Sequence, residues 1–447
     1  IYSHKTRTQK ARLDDFFTLV CCIFVFKIVY CLRSIKEKMS ILTEVSPRST
    51  HVKSFIVLLL LALVLFLLQY HQANMKILTK SLVGKNIKSH EYFPACQQII
   101  AGDQRVIKKA QKTMRRWQKL YLSPRDYIKL SNSCENFISN REYILTPLSK
   151  REEEFPIAFS IIIYTDIEQF ERLLRAIYRP QNYYCIHVDK KSPGIFQRAV
   201  QHISSCFSNV LVTSNSISVT WGEFSVLKSD LICMQDLWTR SKSWKYFINL
   251  TGQEFPLKTN NELVDILQKL KGKSIVKGVT PTKNSSTMKR YLYIHRGLKR
   301  TNKLKQQFRH NFTFYKGSTH VVLSRAFVNF TLHDQVAKDF LKWVEDTKIP
   351  DETYHPSLYK NMDFDKDLRN NSYVPPKVRY KNWRSVCYGK KVRKICINGI
   401  GDLNGITKNR ALFVNKFHLN YQYLALDCLE EWFYNRTLSY YTSQAVI

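Results

Sequence analysis

The stretch FSIIIYTDIEQFERLLRAIYRPQNYYCIHVD, Phe159 to Asp189, sets the fold class. FSIIIY (Phe159 to Tyr164) is an unbroken apolar run of strand length, and IEQFERLLRAIY (Ile167 to Tyr178) repeats its apolar residues at helical spacing. YYCIHVD (Tyr183 to Asp189) reads as a second strand that ends on a carboxylate. The pattern continues with a helix through Phe196 to Ile203, a strand NVLVTS (Asn209 to Ser214), a helix from Gly222 to Leu237 and a strand YFINLTG (Tyr246 to Gly252). Strand and helix alternating at this pitch predict an α/β domain with a mainly parallel central sheet flanked by helices. In such sheets ligands bind beyond the carboxyl ends of the strands. Asp189 is therefore a candidate for holding a ribose or base, with Ile162 and Tyr164 closing the neighbouring strand. There is no GxGxxG and no Walker A pattern, which argues against a dehydrogenase or a nucleoside triphosphatase.

Upstream, SFIVLLLLALVLFLLQY (Ser54 to Tyr70) is uncharged and almost wholly aliphatic, long enough to span a bilayer when extended to Met75. Arg48 and Lys53 stand on its N-terminal side, as a cytoplasmic N-terminus requires, and no small-residue cleavage site follows it. The expectation is a retained signal anchor at 54–75 after a cytoplasmic region 1–53, then a polar, basic stem over 76–120 and a luminal body over 121–447. Met39 opens a compact basic leader and is the expected natural start, with 1–38 as upstream read-through. The competing reading of Phe16 to Leu32 is a second membrane segment.

Of 11 cysteines, eight (Cys96, Cys134, Cys185, Cys206, Cys233, Cys387, Cys396, Cys428) follow the anchor. An even set beyond an anchor suggests disulfides in an oxidising compartment. None has the close CxxC spacing of a zinc site. Sequons at Asn284, Asn311, Asn329, Asn370 and Asn435 suit a luminal glycoprotein, whereas Asn249-Leu250-Thr251 lies in an apolar run and is expected to be buried. The net charge of +35 raises nucleic-acid binding, but the charge follows an anchor and would face the lumen, so no nucleic acid is expected.

Several segments occur in order: LLRAIYRPQNYYCIHVDKK (Leu173 to Lys191), SWKYFINLTGQEFPLKT (Ser243 to Thr259), GSTHVVLSRAFV (Gly317 to Val328), DTKIPDE (Asp346 to Glu352), CYGKKVRKICINGIGDL (Cys387 to Leu403) and LFVNKF (Leu412 to Phe417). Together they resemble the core 2/I-branching β-1,6-N-acetylglucosaminyltransferase family, related to the xylosyltransferases, over roughly Cys96 to Cys428. The resemblance implies a GT-A-like fold and an inverting, metal-independent glycosyltransferase of the Golgi membrane, single-pass and type II. It implies UDP-N-acetylglucosamine as donor and GalNAc of core 1 mucin-type O-glycans as acceptor.

By motif, Glu352 resembles the family's general base. Arg393 and Lys416 match its two diphosphate-holding cations, and Asp189 its nucleotide-contacting carboxylate. Trp221 stands where an aromatic covers the donor, although a core role suits it equally. Fixed cations neutralise a diphosphate leaving group as a divalent metal would, so no cofactor or metal is expected. The Asp363-Phe364-Asp365 triplet is the alternative metal site. Trp383 and Lys283 are the acceptor-side candidates. The resemblance also implies the disulfides Cys96–Cys428, Cys134–Cys206, Cys185–Cys233 and Cys387–Cys396. The acceptor-side segment KGVTPTKNSSTMKRY (Lys277 to Tyr291) departs from the family, which leaves open another donor, UDP-glucose or UDP-xylose, another acceptor, or a catalytically silent membrane lectin of the same fold.

Overall fold

The computed structural model describes residues 95–116, 121–280, 291–294, 298–364, 366, 371–383 and 386–444. The expected anchor at 54–75, Lys283, and the sequons at Asn284 and Asn370 lie outside them. Among the described residues, no helix is long and apolar enough to cross a membrane. The described residues from 95 to Tyr434 belong to one compact unit, while Asn435–Gln444, the end of the last helix Leu424–Gln444, belong to a second.

The elements follow the apolar pattern closely. Strand β1 (Ile157–Ile163) leads into helix Ile167–Ile177, β2 (Tyr183–Val188) into helix Gly194–Ser205, and β3 (Val210–Val212) precedes helix Phe224–Arg240 and β4 (Tyr246–Thr251). Strand β3 is shorter than NVLVTS suggests. Its end is tied sideways instead: Thr213 Oγ1 donates to Asp236 Oδ2 at 2.7 Å. The central sheet runs (Val322–Ser324)–β4–β1–β2–β3. The pairs β1–β2, β1–β4 and β2–β3 are parallel, and only the edge strand Val322–Ser324 is antiparallel.

Side chains alternate across each strand, so the sheet divides two apolar cores. Phe159, Ile161, Tyr184, Ile186, Ile248 and Leu250 face one core, built with helices Ile167–Ile177, Gly194–Ser205 and Asn260–Lys269. Ala158, Cys185 and Phe247 face the other, built with helices Phe224–Arg240, Arg325–His333, Gln335–Val344 and Tyr354–Asn361. A third core gathers Ile99, Ile107 and Ala110, from the stretch expected as stem, with Ile400, Leu403 and Cys428. A small second sheet, (Arg379–Tyr380)–(Phe413–Asn415)–β5 with β5 at Glu254–Pro256, joins late segments of the chain to the end of β4.

The four disulfides pair as the resemblance implies: Cys96–Cys428, Cys134–Cys206, Cys185–Cys233 and Cys387–Cys396. Cys185 on β2 and Cys233 on helix Phe224–Arg240 bolt that helix to the sheet. Their separation of 48 residues gives a chain-entropy contribution of about 4 kcal/mol. Replacing both by Ala is expected to lower unfolding stability by about that amount, read from the shift of a denaturant unfolding curve.

Candidate active site

The carboxyl ends of β1, β2 and β4 lie side by side at one edge of the parallel sheet, and late segments of the chain return to β5 just beyond β4. At the end of β2, the Asp189 carboxylate is buried and engaged by its own neighbour: Oδ1 accepts from Lys191 N at 2.9 Å and Oδ2 from Lys191 Nζ at 2.9 Å. Lys191 Nζ also donates to Val219 O at 2.6 Å, which fixes the loop carrying Trp221. Trp221 is 68% exposed, so the core role that suits it on sequence is ruled out. Ile162 is half-buried and Tyr164 exposed at the end of β1, where Ser192 Oγ donates to Tyr164 O at 2.9 Å. Burial and Asp166 raise the Tyr164 phenol, while a hydrogen bond with Gln253 and the charge of Arg393 oppose the shift.

Trp221 is linked to Glu352 through the backbone. Gly222 takes φ +78°, and a Cβ there would lie 2.7 Å from Leu298 Cδ1, so the turn admits only glycine. Ile349 N donates to Gly222 O at 2.9 Å. Ile349 itself takes φ 54°, a left-handed conformation that β-branched residues rarely adopt, and the short helix Pro350–Glu352 starts there. Glu352 is half-buried, with Oε2 at 3.8 Å from Lys316 Nζ. Its neighbour Asp351 is buried, and burial followed by the Glu352 charge pushes its carboxyl up to about 7.

The cations come from the far end of the chain. Arg393 and Lys394 form the tip between strands Lys390–Val392 and Ile395–Ile397. Both have positive φ, 48° and 71°, as a tight two-residue hairpin of the primed kind needs. Cys387–Cys396 staples this hairpin. Lys416 follows strand Phe413–Asn415 and is anchored on both sides: Asn398 N donates to Lys416 O at 3.0 Å, and Phe417 N to Gln253 O at 2.9 Å. Burial lowers the Lys416 ammonium, Glu254 opposes that, and Arg393 adds to it. Arg393 therefore acts electrostatically on both Lys416 and Tyr164. Among the described residues, neither Arg393 nor Lys416 makes an ion pair.

Sequence reasoning missed the layer beneath. Glu254 is fully buried; Oε2 accepts from Arg379 Nε at 2.6 Å, Oε1 accepts from Asn415 Nδ2 at 3.0 Å, and Oε1 lies 3.6 Å from His320 Nε2. Arg379 also donates to Asn249 O. Asn249 Nδ2 donates to Asp230 Oδ2 and to Thr319 O, each at 2.8 Å, and Ser160 Oγ donates to Asp230 Oδ1 at 2.8 Å. Burial pushes the Asp230 carboxyl up to about 6. Position was the one available pointer, Glu254 opening β5 shortly after β4 and Asp351 standing beside Glu352, and it does not mark either residue as buried. Asn249 is buried as expected, whereas the sequon asparagines Asn311, Asn329 and Asn435 are exposed.

Trp383 is 50% exposed, with Lys381 Nζ 6.0 Å from its ring. In the alternative metal triplet the middle residue is a packed aromatic. Phe364 packs on Phe327 at 5.0 Å and on Phe330 at 5.6 Å in the second core, and Asp365 lies outside the described residues. Among the described residues, the one His/Cys/Asp/Glu cluster of ligating size is Cys387, Cys396 and Asp402. Its sulfurs are bonded to each other and offer no thiolate.

Residues 157–407 match the model of the Core-2/I-Branching enzyme family. The chain belongs to this family. It is 40% identical over 319 residues to a mouse protein named N-acetyllactosaminide beta-1,6-N-acetylglucosaminyl-transferase, covering 69% of this chain and 80% of that one. It is 35% identical over 409 residues to the human beta-1,3-galactosyl-O-glycosyl-glycoprotein beta-1,6-N-acetylglucosaminyltransferase, covering 85% and 94%. Among solved structures, the mannosyltransferase Ktr4p of S. cerevisiae superposes with a TM-score of 0.24 at 10% identity, over 57% of this chain and 82% of that one, a likeness too slight to bear on fold or site. With the family known, the sheet is of the GT-A-like kind.

Two stability effects follow. Removing one partner of a buried ion pair strands the other, at a cost of about 3–5 kcal/mol. Arg379→Met is expected to lose about that much unfolding stability, and Arg379→Met with Glu254→Gln is expected to recover part of it. Asp351 binds its proton more tightly folded than unfolded, so its contribution to stability falls as pH rises from about 4 to about 7 and is flat above. Asp230 acts with the same sign up to about 6. Asp351→Asn is expected to flatten this fall, by up to about 4 kcal/mol, in unfolding curves taken across that range.

Proposed function

We propose that this Core-2/I-branching family member transfers N-acetylglucosamine from UDP-N-acetylglucosamine to the 6-hydroxyl of GalNAc in core 1 O-glycans, with inversion and without a metal. The chain is a glycosyltransferase, as its curated relatives are. The observation that best supports the finer reading is the pair Arg393 and Lys416, which make no ion pair among the described residues and lie near enough for the Arg393 charge to act on Lys416. A diphosphate would supply the missing charge, and fixed cations serve a leaving group without reorganisation at the moment of reaction.

Glu352 is the proposed base. It is a half-buried carboxylate at the end of a short helix held against the Trp221–Gly222 turn. One carboxylate suffices for a single displacement: it takes the acceptor O–H proton as that oxygen attacks the anomeric carbon, and UDP leaves with its electron pair. Asp189 and Tyr164 flank the proposed nucleotide end, Trp221 covers the donor, and Trp383 offers a ring face to the acceptor sugar. The body that carries these residues, with 96–110 packed into it and tied by Cys96–Cys428, is the proposed luminal catalytic domain of a Golgi enzyme, tethered by the apolar segment at 54–75.

A panel of UDP-sugars with Gal-GalNAc acceptor in excess EDTA tests this. Transfer to the 6-hydroxyl with the N-acetylglucosamine donor is expected, and Glu352→Gln should lower kcat by roughly 10²–10⁴-fold. Arg393→Ala and Lys416→Met should weaken UDP binding while leaving the fold intact. Activity lost in EDTA and restored by manganese would sink the metal-independent reading. Transfer from UDP-glucose or UDP-xylose alone would move the donor.

A further inference from the structure

Three left-handed residues from distant parts of the chain meet beside the Trp221 turn. Gly222, Leu298 and Ile349 take φ of 78°, 51° and 54°. Glycine adopts that conformation freely, whereas it crowds the Cβ of a leucine and still more that of a β-branched isoleucine. Such residues persist only where their surroundings over-determine them. Here they hold one another. A Cβ on Gly222 would lie 2.7 Å from Leu298 Cδ1 and 3.6 Å from Ile349 Cγ1, so both side chains close over the glycine. The backbone adds a direct tie, Ile349 N donating to Gly222 O at 2.9 Å.

Leu298 is carried there by a hairpin of strands Tyr291–Ile294 and Lys299–Leu304. No residue of those two strands belongs to the three apolar cores, and most of the second strand is exposed. The hairpin is nonetheless fastened at two places. Tyr293 N donates to Asp346 O at 2.9 Å. Lys305, just past the second strand with its side chain 4% exposed, pairs with the Asp346 carboxylate, and its Nζ donates to Trp343 O at 2.6 Å. At the turn, Leu298 seats on Gly222 and Ile349. Both fastenings fall on the segment from Asp346 to Ile349, which leads directly into the short helix of Glu352. A hairpin held in this way adds little to the core. It fixes how the turn of Trp221 stands relative to the helix of Glu352.

We propose that Leu298 is a positioning residue of the transfer reaction: seated on Gly222 and Ile349, it makes the Trp221 turn and the Glu352 helix one rigid unit. This rests on Glu352 as the base and Trp221 as the donor cover. The test uses the full-length enzyme in detergent with three variants. Leu298→Ala removes the contact, Leu298→Gly removes it while suiting the left-handed turn, and Leu298→Met nearly conserves volume. Hydrogen exchange read by mass spectrometry follows peptides covering 219–222 and 346–352. In Leu298→Ala and Leu298→Gly both are expected to exchange roughly 10-fold or more faster, with strand β1 unchanged. Transfer is scored per UDP-binding site, counted by calorimetry, so that unfolded enzyme does not enter. On that scale kcat is expected to fall about 10-fold, with acceptor KM within about threefold. Leu298→Met should stay within about twofold of wild type. A purely structural role would lower the number of sites and leave kcat per site alone. Unaltered exchange at 346–352 in both truncations, equal acceleration of β1, or unaltered kcat per site overturns the proposal. Transfer persisting in Glu352→Gln, or UDP binding unaltered in Trp221→Ala, would instead overturn the roles of those residues. The exchange comparison needs no turnover and would still decide Leu298.

Discussion

The buried carboxylate of Glu254 is the constraint on which the cleft depends. A charge with no access to water must be paired and hydrogen-bonded, or it abandons its ionised form. Glu254 meets this demand with groups from three distant places in the chain: Arg379, Asn415 and His320. Meeting it draws strands Arg379–Tyr380 and Phe413–Asn415 onto β5, and with them come Lys381 and Lys416, the residues immediately after those strands. A buried ion pair is weak evidence for net stability, since an apolar replacement of like volume is often as stable. Its geometric effect is more secure. It fixes which residues of a long C-terminal excursion return to the sheet, and at what height.

A second polar layer beneath it explains why the carboxyl end of the sheet is not apolar like the rest. Asn249 uses its side-chain amide on Asp230, Thr319 and Val321 at once. Strand β4 is thereby tied to helix Phe224–Arg240 and to the segment that enters the antiparallel edge strand. Asp230 and Asp351 are pushed upward by burial. Both therefore serve partly as neutral carboxyls, which lets acidic residues lie close to Glu352 without a full accumulation of negative charge.

The central sheet was legible in sequence because its strands are buried on both faces and read as apolar runs, while its helices carry one apolar stripe. The β1-to-β2 unit needed no information beyond Phe159 to Asp189. The site was legible only where a residue stood at a strand end, as Asp189 does, or in a recognisable motif, as Glu352, Arg393 and Lys416 do. Glu254 and Arg379 were not, because 125 positions separate them and nothing local marks either as buried. Trp221 illustrates the same limit from the other side. Neither hydropathy nor spacing distinguishes an aromatic held out by a glycine turn from one packed inside.

The charge balance is best understood by asking which cations have carboxylates and which do not. In a chain with 70 Lys and Arg against 35 Asp and Glu, acidic partners are the scarce component. Two arginines of helix Ile167–Ile177 take several of them: Arg172 pairs with Glu168, Asp427 and Glu430, and Arg175 with Glu171 and Glu430. Burial makes such pairing valuable, although the buried Arg179 is held by the Tyr178 carbonyl without an ion pair. Cations at the surface need nothing, since water solvates them. Lys416 and Lys381 fit neither class fully, because both are half-buried without an ion-pair partner among the described residues, whereas Arg393 is exposed at its hairpin tip. Such groups are tolerable while the cleft is wet and become expensive once a ligand displaces the water. A ligand that displaces this water is best matched when it brings negative charge with it, as the diphosphate proposed at Arg393 and Lys416 does.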